Sequence, residues 1–289
     1  MARKIMVVGA GSRLGRVVVP LLNLVDDVEV RAFGRDELDI LDEAGLRQAI
    51  EQERPATVIN CAGFNDIVAA EHERAECLPV NTRGACNLAR AATDFRFYLC
   101  LFSSKQVFNG KKGEPYDEED ELWPENQYGL SKQGAEEMVA NLTENYLILR
   151  SDYLFGFPGD GIDELVARLQ KGEDPILAED YFIAPTYVGD LGAAMVMLAL
   201  EWAAGIYHYT SDAGNSGISC FDFARAVAEA HGFEAGRLKP LPRHEIDYGY
   251  PVNLPERAIL SIERFRKIFP ALVRPWEEAL NEYLAQKGK

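Results

Sequence analysis

The chain has no CxxC pair, and its five cysteines, Cys61, Cys77, Cys86, Cys100 and Cys220, are odd in number and irregularly spaced. That speaks against a disulfide framework or a cysteine zinc site and suits reduced, mostly buried thiols in a cytoplasmic protein. The four histidines fall at no metal-binding spacing, so no metal is expected. Long hydrophobic runs are missing too. The N-terminal MARKIMVVGAG is too short for a signal-peptide core. The longest apolar segment, LGAAMVMLALEWAAG, reads as a buried helix rather than a membrane span. Positive charge is scarce: 30 Lys and Arg against 46 Asp and Glu leave a formal net charge of −16. A nucleic-acid backbone would be repelled, and no basic stripe reverses this locally. The acidic YDEEDE stretch reads as a solvated loop rather than a cation site. Internal repeats and low-complexity segments are absent.

What is present is an alternation. KIMVVGAG is a strand and SRLGRVVVPLLNLV a helix that Pro20 should bend. VEVRAFG, PATVINCAG, RFYLCLFSS and YLILRSDYLFG read as further strands. LDEAGLRQAIEQE, AECLPVNTRGACNLARAATD and YGLSKQGAEEMVANLTE read as the helices between them. Such a rhythm predicts an α/β fold, a Rossmann-type doubly wound parallel sheet. Past residue 156 the rhythm breaks into loops and clustered prolines, with helices at FDFARAVAEAHGF and PWEEALNEYLAQ. The predicted organisation is a dinucleotide-binding domain over 1–156 and a smaller substrate-binding lobe over 157–289. That lobe is partly interleaved with the last strands of the main sheet.

The stretch VVGAGSRLGRVVV lies between the first strand and first helix, where Gly9, Gly11 and Gly15 fit a phosphate-binding turn. Glycine permits the tight turn and close backbone approach, and a helix N-terminus favours an anion. The spacing departs from G-x-G-x-x-G, because Leu14 occupies the third glycine position. An NAD site usually places a carboxylate at the end of the second strand. Here Gly34 and Arg35 stand there, and Arg13 lies in the turn. Two guanidiniums could hold a 2′-phosphate, which favours NADP(H) over NAD(H). Asp36 and Glu37 stand close by, and Arg35 has the alternative of being a solvated surface charge.

Ser104 ends the fourth strand, at the carboxyl edge where open α/β sheets bind ligands. Tyr128 and Lys132 are spaced i, i+4 on the following helix, one above the other. A free tyrosine titrates at about 10. A nearby ammonium and a positive nicotinamide ring would stabilise the phenolate, tuning the phenol as general acid for a carbonyl. Ser104 would hydrogen-bond the same carbonyl oxygen.

The glycine turn, VIN, FSS…VF, YGLSK and LILRSDYLFG together resemble the extended short-chain dehydrogenase/reductase family, in particular its dTDP-4-dehydrorhamnose reductase (RmlD-like) branch. SSKQVF, PYDEED, APTYVGDLGAAM, GIYHYTSDAG and SIERFRK extend the resemblance nearly end to end. It implies Tyr128 as acid/base, Lys132 on the nicotinamide ribose and Ser104 on the substrate oxygen. It also implies Asp39 and Ile40 near adenine, Cys61, Ala62 and Gly63 along the cofactor, and Tyr153 lining the substrate. The extended-family turn is G-x-x-G-x-x-G, and Ser12 stands at its middle glycine. Lys105 and Gln106 replace an Asp-Tyr pair near the expected sugar, and Val68 and Ala69 replace a charged pair.

The leading expectation is therefore an NADP(H)-dependent reductase of a 4-keto nucleotide sugar. A nucleotide-sugar epimerase is the near alternative. A non-catalytic NADP-binding subunit, like the regulatory subunit of methionine adenosyltransferase, is the alternative of a different class. The expected partner is a small nucleotide sugar, with no nucleic acid or membrane, and helix-mediated homodimers are common in this superfamily.

Overall fold

The computed structural model describes residues 2–287. Met1 and Gly288–Lys289, the outer ends of the two predicted domains, lie outside the described residues. The first half runs β1 (Arg3–Val8), α1 (Gly15–Leu22), β2 (Val28–Phe33), α2 (Glu43–Glu53), β3 (Thr57–Asn60), α3 (Ala69–His72), α4 (Arg74–Leu78), α5 (Gly84–Phe95), β4 (Tyr98–Ser104), α6 (Gln127–Leu142) and β5 (Tyr146–Ser151). The second runs β6 (Leu154–Phe155), α7 (Gly161–Gln170), β7 (Ile176–Ala178), β8 (Phe182–Ile183), β9 (Thr186–Tyr187), α8 (Val188–Leu200), β10 (Gly205–His208), β11 (Ile218–Ser219), α9 (Cys220–Ala230), β12 (Lys239–Leu241), α10 (Glu263–Ile268) and α11 (Trp276–Lys287).

Six strands form one sheet in the order β2-β1-β3-β4-β5-β10, and every neighbouring pair is parallel. Burial on both faces explains why the central strands are apolar runs rather than alternating ones. In β1 the period of two sends Ile5 and Val7 to one layer and Met6 and Val8 to the other. On the first face, Val18 and Leu22 of α1, Leu191 and Met195 of α8 and Phe265 of α10 pack on the sheet. On the second, Leu46 and Ile50 of α2, Leu88 of α5 and Val139 of α6 do so. Each such aliphatic side chain contributes about 1.5–3 kcal/mol by leaving water. The sheet and its helical layers thus draw α8, β10 and α10 from beyond residue 157. The remaining elements build a smaller body around Phe155, Phe223, Trp276 and Tyr283.

Two segments depart from the sequence expectation. The single helix predicted over AECLPVNTRGACNLARAATD is two, α4 and α5, joined by a π-helical turn at Pro79–Arg83. Pro79 has no N–H to give the preceding turn and its ring crowds a carbonyl there, so the backbone widens. The widening turns Asn81 inward. The strand predicted over YLILRSDYLFG stops at Ser151, because the Asp152 carboxylate accepts the N–H groups of Tyr153 (2.6 Å) and Ala184 (2.6 Å). Local side-chain bonds of this kind compete with the sheet ladder. The chain then leaves the sheet, and β6 pairs with β9. Pro20 sits at the sixth position of α1, which ends two residues later.

Strand order reverses between β1 and β3, so the crevice outside their carboxyl ends is where such a fold binds ligands. Among the described residues, no helix is long and apolar enough to cross a membrane. Gly84 opens α5 against the loop after β2, and a Cβ there would stand 2.3 Å from Ile40 Cδ1. Gly84→Leu is expected to overpack this contact at a cost of about 1–3 kcal/mol. A lowered urea midpoint with an unchanged slope would bear this out, and an unchanged midpoint would contradict it.

Candidate active site

Gly9 leaves β1 with φ +72°, and a Cβ there would lie 2.4 Å from the backbone nitrogen of Ala62. Only glycine lets the turn lie against the strand end that carries Cys61, Ala62 and Gly63. A Cβ on Gly15 would meet Gly9 O at 2.4 Å, whereas one on Gly11 would meet open space. Ser12, at the middle-glycine position, uses its Oγ to accept the Gly15 N–H at 3.0 Å. The hydroxyl therefore ties the turn to α1, and its own hydrogen stays available to an anion. The N–H groups of Arg13 and Leu14 have no protein acceptor among the described residues. Leu14 packs its side chain against the first core layer, where a glycine would have left space. Compact glycines, unpartnered N–H groups and a helix N-terminus together fit a dinucleotide diphosphate.

Two adjoining cavities open at this edge. One, of roughly 390 Å³, is lined among others by Ala62, Ser104, Tyr128, Lys132 and Tyr153. The other, of roughly 640 Å³, lies over Gly11, Ser12, Gly63 and Phe157. Arg13 borders both. Its guanidinium stacks over the Phe157 ring at 4.4 Å and faces Tyr128 closely enough to favour the phenolate. Arg13 thus lies between the two cavities, stacked on Phe157 and within electrostatic reach of Tyr128. Arg35 is exposed in the turn after β2, where Glu37 accepts the Gly34 N–H (2.8 Å). Asp39 and Ile40 follow it, and the Ile40 carbonyl is held by Asn87 of α5 at 2.9 Å. These three residues line neither cavity; they stand one strand outward, where an extended dinucleotide would place its other end.

Ser104, Tyr128 and Lys132 converge in the smaller cavity. Asn126 caps α6 by accepting the Gly129 N–H (2.8 Å), which starts the helix so that Tyr128 and Lys132 face the sheet. Lys132 Nζ donates to the Phe102 carbonyl at 3.3 Å and lies 5.6 Å from the Tyr128 ring centre. Burial drives the Lys132 pKa down to about 8, with Cys77 and Glu136 opposing. Glu136, one turn further along α6, is clasped by Arg150 at 2.7 Å. The sequence expectation of a phenol acidified by its lysine needs correction. Among protein groups alone, burial raises the Tyr128 pKa well above its ordinary value, and Ser104 and Arg13 pull it only part of the way back. The ammonium is anchored on the Phe102 carbonyl instead. Ser104 Oγ accepts the Gln106 N–H at 3.3 Å, which leaves its own hydrogen for the Tyr128 oxygen or for a ligand in the cavity.

Lys105 and Gln106, expected at the substrate, do line this cavity, but their polar atoms are taken up by protein. Lys105 Nζ pairs with Asp152 Oδ1 at 2.7 Å and donates to Phe182 O at 2.8 Å. Gln106 bonds Tyr181 and Asn126. Tyr153 lines the cavity edge-on to Phe223. Asp152 and Tyr181 went unnoticed in the sequence, as did Asn81, which bonds Phe64 through both N–H and carbonyl and reaches Ser131 at 2.8 Å. A lysine at the end of an apolar strand was the available signal for a buried acid.

A family model described as the RmlD substrate binding domain matches residues 3–288. The chain is 32% identical to the spore coat polysaccharide biosynthesis protein SpsK of Bacillus subtilis (strain 168), covering 99% of this chain and 98% of that one. It is 31% identical to a dTDP-4-keto-6-deoxy-D-glucose reductase of Streptomyces niveus, with 98% and 96% covered. Its fold matches the crystal structure of dTDP-4-dehydrorhamnose reductase from Bacillus anthracis str. Ames in complex with NADP. That match has a TM-score of 0.90, 27% identity and 99% and 100% coverage.

The Lys132 pKa gives a sign for stability. The folded value, about 8, lies below the ordinary 10.5, so between these pH values the unfolded chain binds more protons and stability rises with pH. Lys132→Met removes this dependence. Its stability advantage over the parent should be greatest below pH 8 and shrink towards pH 10.5. Denaturant titration of both proteins across that range checks this, and parallel curves would contradict it.

Proposed function

The chain belongs to the RmlD substrate-binding-domain family, and on that premise we propose that it is an NADPH-dependent reductase of a nucleotide-linked 4-keto sugar. Its nearest functional type is dTDP-4-dehydrorhamnose reductase. The observation that carries the reading is the convergence of Ser104, Tyr128 and Lys132 in one cavity beside the glycine turn. In this reading residues up to 156 hold most of the dinucleotide and those from 157 enclose the substrate.

When bound, NADPH supplies the hydride. The residues that would hold it are Gly9, Gly11, Ser12, Arg13, Leu14 and Gly15 around the diphosphate and Cys61, Ala62 and Gly63 along its length. Arg35, Asp39 and Ile40 stand at the adenosine end. Lys132, whose Nζ would lie 3.5 Å from a Cβ on Gly63, is the residue that the family resemblance puts on the nicotinamide ribose.

The high pKa of Tyr128 suits the reductive direction, because the phenol enters the reaction carrying its proton. Ser104 donates its hydrogen to the substrate carbonyl oxygen and polarises it. As negative charge develops there, Tyr128 transfers its proton to that oxygen. The phenolate left behind faces Arg13, whose positive charge limits the cost of the burial. Retention of all three hydroxyl and amine groups in one cavity supports turnover over the regulatory-subunit reading.

Tyr128→Phe removes the proton donor while keeping the ring. It is expected to lower kcat on dTDP-4-dehydrorhamnose by roughly 100-fold or more while NADPH affinity, read by fluorescence titration, stays within about twofold. Parental turnover in this variant would overturn the assignment of the acid.

A further inference from the structure

Tyr181 lies just before β8, 8% exposed, and lines the same cavity as Ser104, Tyr128 and Tyr153. A chain of hydrogen bonds fixes which way its hydroxyl points. The Gly129 N–H can only donate, so the Asn126 atom it meets at 2.8 Å is Oδ1. The Asn253 carbonyl can only accept, so the atom facing it at 2.9 Å is Asn126 Nδ2. Both constraints agree, and they turn the Asn126 amide nitrogen towards Gln106. Gln106 must then present Oε1 to Asn126 (2.8 Å) and Nε2 to the Tyr181 hydroxyl (2.9 Å). Two backbone groups thereby set the polarity of the whole chain. The Tyr181 oxygen accepts, and its hydrogen has no acceptor among the described residues.

The backbone around Tyr181 is held as firmly. Lys105 donates to the Phe182 carbonyl, and Asp152, its ion-pair partner, accepts the Ala184 N–H. The Lys105 ammonium also sits 4.6 Å from the Tyr181 ring centre. Gly129 lets α6 approach this wall, since a Cβ there would stand 2.1 Å from Gln106 O.

We propose that Tyr181 is a specificity-determining residue whose hydroxyl donates a hydrogen bond to an oxygen on the sugar ring of the substrate, and that Gln106 is the positioning residue that orients it. The assignment rests on the reductase reading above. The cavity it uses is the one in which the reacting sugar carbon must meet Ser104 and Tyr128. Burial lifts the Tyr181 pKa well above its ordinary value, so the donor is present at every working pH.

Tyr181→Phe deletes the donor and keeps the ring over Lys105. Gln106→Glu keeps the size and the bond from Asn126 but turns Nε2 into an acceptor. Tyr181 must then donate to Glu and presents only lone pairs to the cavity. Calorimetry with the NADP+-loaded protein would use two probes: dTDP-rhamnose, the alcohol that reduction of dTDP-4-dehydrorhamnose yields, and dTDP, which lacks the sugar. Each variant is expected to bind dTDP-rhamnose about three- to tenfold more weakly, with dTDP and NADPH affinities unchanged. Turnover of dTDP-4-dehydrorhamnose should show the loss in KM rather than kcat. Unchanged dTDP-rhamnose affinity in either variant, or equal weakening of dTDP, would overturn the assignment. A parent protein that binds NADPH but no nucleotide sugar would instead overturn the reductase reading, and this assignment with it.

Discussion

The close contact between Gly9 and the backbone of Ala62 joins the ends of β1 and β3 at the point where strand order reverses. Without it the first turn could not approach the sheet edge so closely, and Arg13 and Leu14 would not line the cavity there. Because all six strands run parallel, their carboxyl ends share that edge. Ser104, Ser151 and the residues after Asn60 therefore meet there although they are far apart in sequence. Helix α6 then brings Tyr128 and Lys132 over the same edge, started where Asn126 caps it.

Burial at that edge has opposite effects on its two titrating groups. It pushes the Tyr128 phenol up and the Lys132 ammonium down to about 8. Both shifts disfavour the charged form and have one cause, removal from water. The protein alone thus holds a protonated phenol next to a lysine that is easily neutralised. The positive charge that favours the phenolate comes from Arg13 within the chain, with the oxidised nicotinamide as the further source when the cofactor is bound. Under the proposed reductase function this division of labour suits reduction, in which the proton donor must be loaded before the hydride moves.

Much of this was legible in the sequence, because its signals were local. Strand and helix periods, the glycine spacing and the i, i+4 pair of Tyr128 and Lys132 each lie within one or two elements. Four features were not legible. A proline inside a helical pattern could have ended the helix or bent it, and the π-helical turn that directs Asn81 inward is a third solution. The strand break at Asp152 depends on Ala184, 32 residues away. The Lys105–Asp152 pair and the Gln106–Tyr181 bond span 47 and 75 residues, so the sequence showed unusual residues without their partners. Arg13 could be placed in the turn, but its stacking partner, Phe157, comes from beyond the predicted domain boundary.

The most direct test follows the Tyr128 phenol itself. Protein labelled with 13C at tyrosine Cζ, with Tyr128→Phe to identify the resonance, would be titrated by NMR with and without NADP+. Tyr128 is expected to titrate above its ordinary value of about 10 in the protein alone and at least one pH unit lower once NADP+ is bound. A phenol that titrates near neutrality without the dinucleotide, or one that does not respond to NADP+, would contradict the account.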